Sequence, residues 1–474
     1  MYTKNTKIVC TLGPASDSLK EVSALAKAGM NVARLNFSHG TFEHHEKLIK
    51  TIHKAEKETG KRIGVLQDLQ GPKIRIGEMP EKGILLKKDD IFELTTRKII
   101  GKTEKGKTIL PISYKNLVKD IKKDDIILIN DGLIETRVLK KTKDSLVCRV
   151  IFGATVKTRQ GVNFPTASAS VETITLKDKK DLKFGLKHNV DFVALSFVKS
   201  KKDIDDLRKL IQKEKKDTKI IAKIERHEAV TNLREIIKAA DGVMVARGDL
   251  GSDLPPEQVP IVQKRIIHLA NKFGKPVITA TQVLQSMVTN SKPTRAEISD
   301  AANAVFDHTD AIMLSNESAV GKYPVKAASI LTRVASTVEK ELQKHDELVE
   351  SIVKPRTLSS INATCLNACE LAIDTNADQI IVYTEDGYTA RQIVKHRLYT
   401  PVITIVPSEK IARELTLVWG INKILIQKFN KKEANKINSV IKFTKKKRAI
   451  KKGEKIVIVC NASRKEAQIS TTRI

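Results

Sequence analysis

KIIAKIE at residues 219–225 and GVMVARGDLG at residues 242–251 are short apolar runs that end in charged residues, with an amphipathic stretch between them. Apolar character that is nearly continuous, rather than alternating, marks strands buried on both faces of a parallel sheet. Working outward, the unit recurs. IVCTLG (8–13), NVARLNF (31–37), RIGVLQDL (62–69) and DFVALSFV (191–198) precede the pair, and PVITATQ (276–282) and DAIMLSNES (310–318) follow it. Helix-start signals lie between the runs, such as Asp17 before LKEVSALAKAG and Pro293-Thr294 before RAEISDAANAVF. The eight runs of this kind in the chain predict a closed (β/α)₈ barrel of the α/β class.

The rhythm breaks between about residues 71 and 160, where lysine-rich sequence carries short alternating runs such as DIILIN and SLVCRVIF around the turn Asn130-Asp131-Gly132. This segment is expected to be a small all-β domain inserted after the third strand. It would leave from the catalytic end of the barrel and act as a lid. From residue 341 a separate α/β unit is expected, with strands QIIVYT (379–384), PVITIV (401–406) and KIVIVC (455–460). The expected division is therefore 1–70 with 161–340 for the barrel, 71–160 for the lid and 341–474 for a C-terminal assembly or regulatory domain.

Composition narrows the function classes. The chain has 474 residues, 41% hydrophobic, and no apolar stretch long enough to span a membrane. The N-terminus runs straight into a strand-like segment without a signal-peptide pattern, so a cytoplasmic location is expected. Cys10, Cys148, Cys365, Cys369 and Cys460 form no CxxC pair, which fits buried thiols in a reducing compartment. The net charge of +30 invites a nucleic-acid reading. However, the lysines are spread along the chain, KKKR at 445–448 holds no aromatic residue, and aromatics are only 4% of the total. No nucleic-acid partner is expected.

In a barrel of this kind the chemistry sits where the strands end. Those ends carry Arg34, Asn36, Ser38 and His39; Asp68 and then Gly71-Pro72-Lys73-Ile74-Arg75; Ser196; Lys223 and Glu225; Arg247-Gly248-Asp249; Thr281 and Gln282; and Ser315 and Glu317. Lys-x-Glu in a strand puts both side chains on one face, which an inward salt bridge explains equally well. What a purely structural account handles poorly is the convergence of all these groups. Glu225 and Asp249, one strand apart, suit the carboxylate ligands of Mg²⁺. Arg34 and Arg75 suit phosphate. Lys223 is a point charge able to stabilise a phosphoryl group in transfer. No Walker loop or GxGxxG is present.

At these residues the chain resembles the pyruvate kinase family. NFSHG (36–40), DLQGPKIR (68–75), IIAKIERHEAV (220–230), VARGDLG (245–251), ATQVLQSM (280–287), PTRAEISDAANAV (293–305) and DAIMLSNESAVGKYP (310–324) follow in the family's order. The resemblance implies phosphoryl transfer from phosphoenolpyruvate to ADP, giving pyruvate and ATP, in a homotetramer. It implies Mg²⁺, or Mn²⁺ in its place, on Glu225 and Asp249. It implies Lys223 on the transferring phosphoryl group and Arg34 on the phosphate. The backbone of Ala246, Arg247, Gly248 and Asp249, with Thr281, would hold the substrate carboxylate, and Thr281 would lie on the path that protonates the enolate. Asn36, His39, Arg75 and Arg159 would face the nucleotide, and Asp131 would pair with Arg34 on closure.

Members that need K⁺ hold it with the equivalents of Asn36, Ser38, Asp68 and the backbone at Leu69. Leu69-Gln70, Lys73 and Ile76 instead resemble the K⁺-independent branch, with Lys73 supplying the missing charge. Gln160 stands where the family carries a nucleotide-facing Lys, His308 where it carries Gly, and Ser318 where it carries Thr. TEDGYTA (384–390) and the glycine-free segment NASRKEAQISTTRI (461–474) give no expectation of fructose bisphosphate control. The alternative reading is a Mg²⁺-dependent barrel lyase or aldolase of an enolpyruvate-like substrate.

Overall fold

The computed structural model describes residues 4–130, 132–167, 170–344, 358–430, 436–463 and 466–474. Eight parallel strands close a barrel: β1 Lys7–Thr11, β2 Val32–Asn36, β3 Gly64–Asp68, β4 Phe192–Leu195, β5 Lys219–Ile224, β6 Gly242–Ala246, β7 Val277–Ala280 and β8 Ala311–Leu314. Each runs beside its chain neighbour, and β8 pairs with β1 to complete the ring. All eight runs read from the sequence are strands. β4 stops at Leu195, so Ser196 and Phe197 lie just beyond it.

The strand period decides which residues can do chemistry. Alternate side chains fill the barrel interior, where Val9, Val32, Leu66, Phe192, Ala194, Ile221, Met244, Ile278 and Met313 form one cluster. In phase with them, two residues further along each strand, come Thr11, Arg34, Asp68, Ser196 and Lys223. The other phase, including Cys10, Val65, Ile220, Ala222 and Ile224, packs against the surrounding helices.

Those helices start where the sequence provides caps. Thr294 and Glu297 form a capping box at the head of Arg295–Phe306. The first helix, Leu19–Ala28, is capped by Ser18 rather than by Asp17: the Ser18 side chain accepts from the Glu21 amide. Asp17 lies one position too early to reach that turn.

After β3 the chain builds a seven-stranded sheet in the order Val162–Asn163, Ile126–Ile129, Ile134–Lys141, Ser145–Phe152, Ile91–Thr95, Lys107–Pro111 and Lys102–Glu104. Its core includes Phe92, Leu110, Ile127, Val138, Leu146 and Val150. The C-terminal unit holds a five-stranded sheet, Ile421–Ile426, Val402–Val406, Gln379–Tyr383, Lys455–Ser463 and Glu466–Arg473. The central three are the expected strands. The two edge strands escaped notice because INKILI is broken by a lysine and EAQISTTR is mostly polar, as edges exposed on one side are. Cys365 and Cys369 are buried on the helix Ser360–Asp374, and burial pushes the Cys365 thiol up to about 12.

The N-terminal end of the barrel is sealed by this unit. Leu417 joins the interior cluster. Buried Lys7 donates to the Ile421 carbonyl at 2.8 Å and to Asn422 Oδ1 at 2.6 Å. Arg397 pairs with Asp310 at 3.0 Å and lies over the Trp419 ring at 4.9 Å. His308 sits at this end in a left-handed conformation (φ 66°), which a glycine would adopt without strain. It is therefore at the foot of β8, remote from the strand ends that carry Lys223 and Thr281.

Asp191, buried before β4, accepts from the Val65 amide at 2.7 Å, and burial pushes its carboxyl up to about 7. Its unfolded value is about 4. Below about pH 4 the group is protonated in both states and affects nothing; above about pH 7 the folded state carries the whole cost of a buried carboxylate. Stability contributed by this group therefore falls as pH rises between those values. Asp191→Asn keeps the acceptor and is expected to raise stability at pH 8 by on the order of a few kcal/mol, with the gain vanishing near pH 4. Denaturant titrations of both proteins across that range test this; a gain independent of pH would refute it.

Candidate active site

Lys223 is the centre of the constellation. Its ammonium lies 2.8 Å from Glu225 Oε1, 3.4 Å from Asp68 Oδ1 and 2.8 Å from Ser196 Oγ. Burial opposes its charge, but Asp68 and Glu225 outweigh burial and hold its pKa above the ordinary lysine value. Asp68 is buried as well, yet Lys223 and Arg34 keep its carboxyl below the usual range. Arg34 meets Asp68 Oδ2 through both Nε and Nη2 at 2.7 Å, and its Nη1 donates to Thr11 Oγ1 at 2.9 Å. The guanidinium is thereby fixed with N–H donors left over.

Glu225 lies just past β5. Its Oε2 accepts from the Phe197 amide at 2.7 Å, which the left-handed Phe197 (φ 56°) turns toward it. Oε1 is buried and receives no well-directed hydrogen bond despite the nearby ammonium. Burial, with Asp249 adding to it, pushes the Glu225 carboxyl up against the pull of Lys223. A buried carboxylate under that stress, with the hard oxygen donor Asp249 as its neighbour, is what a divalent cation relieves, so these residues fit the metal implied by the resemblance. The described residues also hold His227, Glu228 and Asp253 within metal-ligand range of one another. There the Arg226 guanidinium is 3.8 Å from Glu228, and Asp253 is taken by the His227 amide and ring at 2.7 and 2.8 Å.

Asp249 belongs to the short helix Arg247–Gly251 that follows β6. The Gly248 amide donates to Thr281 Oγ1 at 2.8 Å. Lys73 lies 3.3 Å from Asp249 Oδ1, and the two line an open cleft with Arg247, Gln282 and Asp300. A hollow larger than this cleft lies elsewhere, between the barrel's N-terminal face and the C-terminal unit around Arg62, Lys216 and Arg413.

The remaining expected residues are placed less uniformly. Asn36 Oδ1 accepts from the Ser38 amide at 3.1 Å, and the Leu69 carbonyl accepts from Ser196 Oγ at 2.7 Å. Of the four groups expected to mark a monovalent site, Asp68 is thus met by Arg34 and Lys223, whereas the ion-pair partner of Lys73 is Asp249. Arg75 donates to the Arg159 carbonyl at 2.9 Å, which joins those two residues. His39 is exposed, and Gln160 is occupied locally by the Lys157 amide at 2.9 Å. Asp131 lies outside the described residues. Glu317, another strand-end carboxylate, is buried and accepts from the Leu284 and Ser315 amides at 3.0 and 2.8 Å, so it holds loops.

Ser196 was noted at a strand end but given no task, although its phase with Ala194 already aimed it inward. Thr11 was missed because nothing in its neighbourhood distinguishes it from an ordinary barrel residue, whereas Arg247 was expected to contribute only its backbone and its side-chain partners lie far along the chain.

Two buried carboxylates and an arginine around one buried ammonium, beside a fourth charged strand end, define a barrel enzyme built to handle a phosphorylated anion. Models of the pyruvate kinase barrel domain and of the pyruvate kinase alpha/beta domain match residues 3–328 and 362–474. A pyruvate kinase of Staphylococcus epidermidis is 43% identical over 89% of this chain and 72% of its own length. Pyruvate kinase 2 of Synechocystis is 44% identical over 89% of this chain and 71% of its own. The crystal structure of a pyruvate kinase from Cryptosporidium parvum superposes with a TM-score of 0.92 at 35% identity, covering 99% of this chain and 96% of that one. The chain belongs to the pyruvate kinase family, phosphotransferases of glycolysis. Among the described residues, no helix is long and apolar enough to cross a membrane.

Proposed function

We propose that this enzyme transfers the phosphoryl group of phosphoenolpyruvate to ADP with Mg²⁺ held by Glu225 and Asp249, and that it needs no K⁺. The observation that carries this reading is Lys223, clamped between Asp68 and Glu225 with Arg34 behind. An ADP β-phosphate oxygen attacks phosphorus, the bond from phosphorus to the enol oxygen breaks, and the enolate takes a proton at its methylene carbon to become pyruvate. Arg34 and Lys223 sit among fixed carboxylates and so are preorganised for the phosphoryl oxygens, without reorganising during transfer. The metal, Mg²⁺ or Mn²⁺, supplies neutralisation of the negative charge that converges there. The backbone of Ala246 to Asp249 and Thr281 bind the carboxylate end, and Thr281 Oγ1 lies on the proton's path. Asn36, His39, Arg75 and Arg159 face the nucleotide.

The segment 71–160 serves as a lid over this end of the barrel formed by 1–70 and 161–340, and 341–474 serves assembly. A cytoplasmic homotetramer with twofold symmetry is expected; light scattering that finds a stable, active monomer would overturn it. A coupled assay of pyruvate production, with and without ADP, Mg²⁺ and K⁺, tests the whole reading. Pyruvate formed at full rate without ADP would instead favour the lyase or aldolase.

A further inference from the structure

Thr281 and Gln282, which follow β7, both have left-handed backbones, with φ of 67° and 51°. For a β-branched residue such as Thr this is a strained conformation, kept only where the surroundings enforce it. Its effect is to place Oγ1 between the Gly248 amide, which donates at 2.8 Å, and the Ala280 carbonyl, to which it donates at 2.6 Å. It also turns successive carbonyls to one side; along an extended strand they would alternate.

One side chain collects those carbonyls. Arg247 Nε lies 3.2 Å from both the Ala280 and the Thr281 oxygens, and its Nη2 lies 2.7 Å from the Thr281 oxygen and 3.4 Å from that of Gln282. Its Nη1 bonds Asp300 Oδ1 at 2.7 Å, on the helix Arg295–Phe306. That helix is itself fixed by its capping box. Only a planar fork of donors reaches this set at once, and charge makes each bond stronger than a neutral one. The arginine's neighbours in sequence, Gly248 and Asp249, belong to the catalytic face, so the clamp couples the short helix after β6 to the loop after β7.

We infer that Arg247 is a positioning residue for protonation of the enolate: anchored by Asp300, it holds Thr281 in its left-handed state so that Oγ1 faces the reacting carbon's side of the site. This rests on the assignment of Thr281 to the proton path. Without the clamp the loop relaxes toward an ordinary conformation, and the fraction with Oγ1 in place falls roughly tenfold or more.

The test follows proton transfer apart from phosphoryl transfer. In D₂O with Mg²⁺ and ATP, a methyl proton of pyruvate leaves, a deuteron returns, and NMR reads the exchange; nothing is oxidised or reduced. Arg247→Ala is expected to lower exchange and turnover about tenfold or more, with the KM for phosphoenolpyruvate within about threefold of the parent. Arg247→Lys, which keeps the charge but not the fork, is expected to behave like Arg247→Ala. Full exchange in a folded Arg247→Ala, full recovery by Lys, or a large KM change with normal exchange would each overturn the inference. Asp300→Asn leaves the arginine in place and covers the case in which Arg247→Ala does not fold; it is expected to slow exchange several-fold, and no change there counts equally against the clamp. Thr281→Ala separates the two levels. If it exchanges normally, the assignment of Thr281 falls and the inference with it. If it is slow while Arg247→Ala is normal, only the clamp falls.

Discussion

Lys223→Met is expected to leave a folded protein whose turnover at saturating substrate is lower by roughly 10²–10³ or more, the range found when one preorganised charge is removed from a transition state. The structure explains why folding should survive. Removing the ammonium strips Asp68 of one cation, but Arg34 still meets its Oδ2 at 2.7 Å. Glu225, already pushed up by burial and Asp249, is left to take up a proton rather than remain as an unpaired buried charge. Ser196 retains the Leu69 carbonyl as a partner. Methionine matches the lysine stem in length and flexibility, so no large cavity opens. Circular dichroism and the KM for phosphoenolpyruvate separate loss of catalysis from loss of structure. Activity within a few-fold of the parent in the folded variant would remove Lys223 from the mechanism.

The barrel and the convergence of charged groups at its strand ends were legible in the sequence because barrel strands and those groups obey one period. The Lys-x-Glu at the end of β5 had to share a face, and the neighbouring Ile221 shows that face to be the interior. What a sequence cannot display is a conformation. Phe197, Thr281 and Gln282 adopt left-handed backbones although their side chains disfavour it, and the forces responsible come from residues far away in the chain. Arg247 reads as one residue of VARGDLG; the contacts of its side chain emerge only when the carbonyls after β7 converge on it. The partner of Lys73 was equally hidden, since Asp249 lies far along the chain. The edge strands of the C-terminal sheet were missed for a different reason, a polar composition that carries no burial signal.

The charge at Lys73 is expected to decide how the enzyme responds to monovalent cations. A unit cation about 4 Å from a phosphate oxygen, at an effective dielectric of about 20, is worth about 4 kcal/mol. Losing that from the transition state alone would slow turnover roughly a thousandfold. An enzyme that works without K⁺ must find the charge in its own residues. Asp68 already has its oxygens met by Arg34 at 2.7 Å and Lys223 at 3.4 Å. Lys73 adds a further positive charge 3.3 Å from Asp249, at the open side of the same site. Its partial exposure would give the ammonium room to leave Asp249 for a substrate oxygen if Asp249 holds the metal. Turnover in a Tris or tetramethylammonium buffer free of K⁺ and Na⁺ is therefore expected to be near its maximum, and a rise of about tenfold or more on adding K⁺ would sink the idea. Lys73→Glu reverses the sign beside Asp249. Its turnover is expected to fall by up to roughly a thousandfold without K⁺. Part of that loss should return when K⁺ is added, because the new carboxylate gives the ion a ligand and the ion restores the charge. If Lys73→Glu is as active as the parent in the absence of K⁺, Lys73 is a surface lysine and the cation's substitute lies elsewhere.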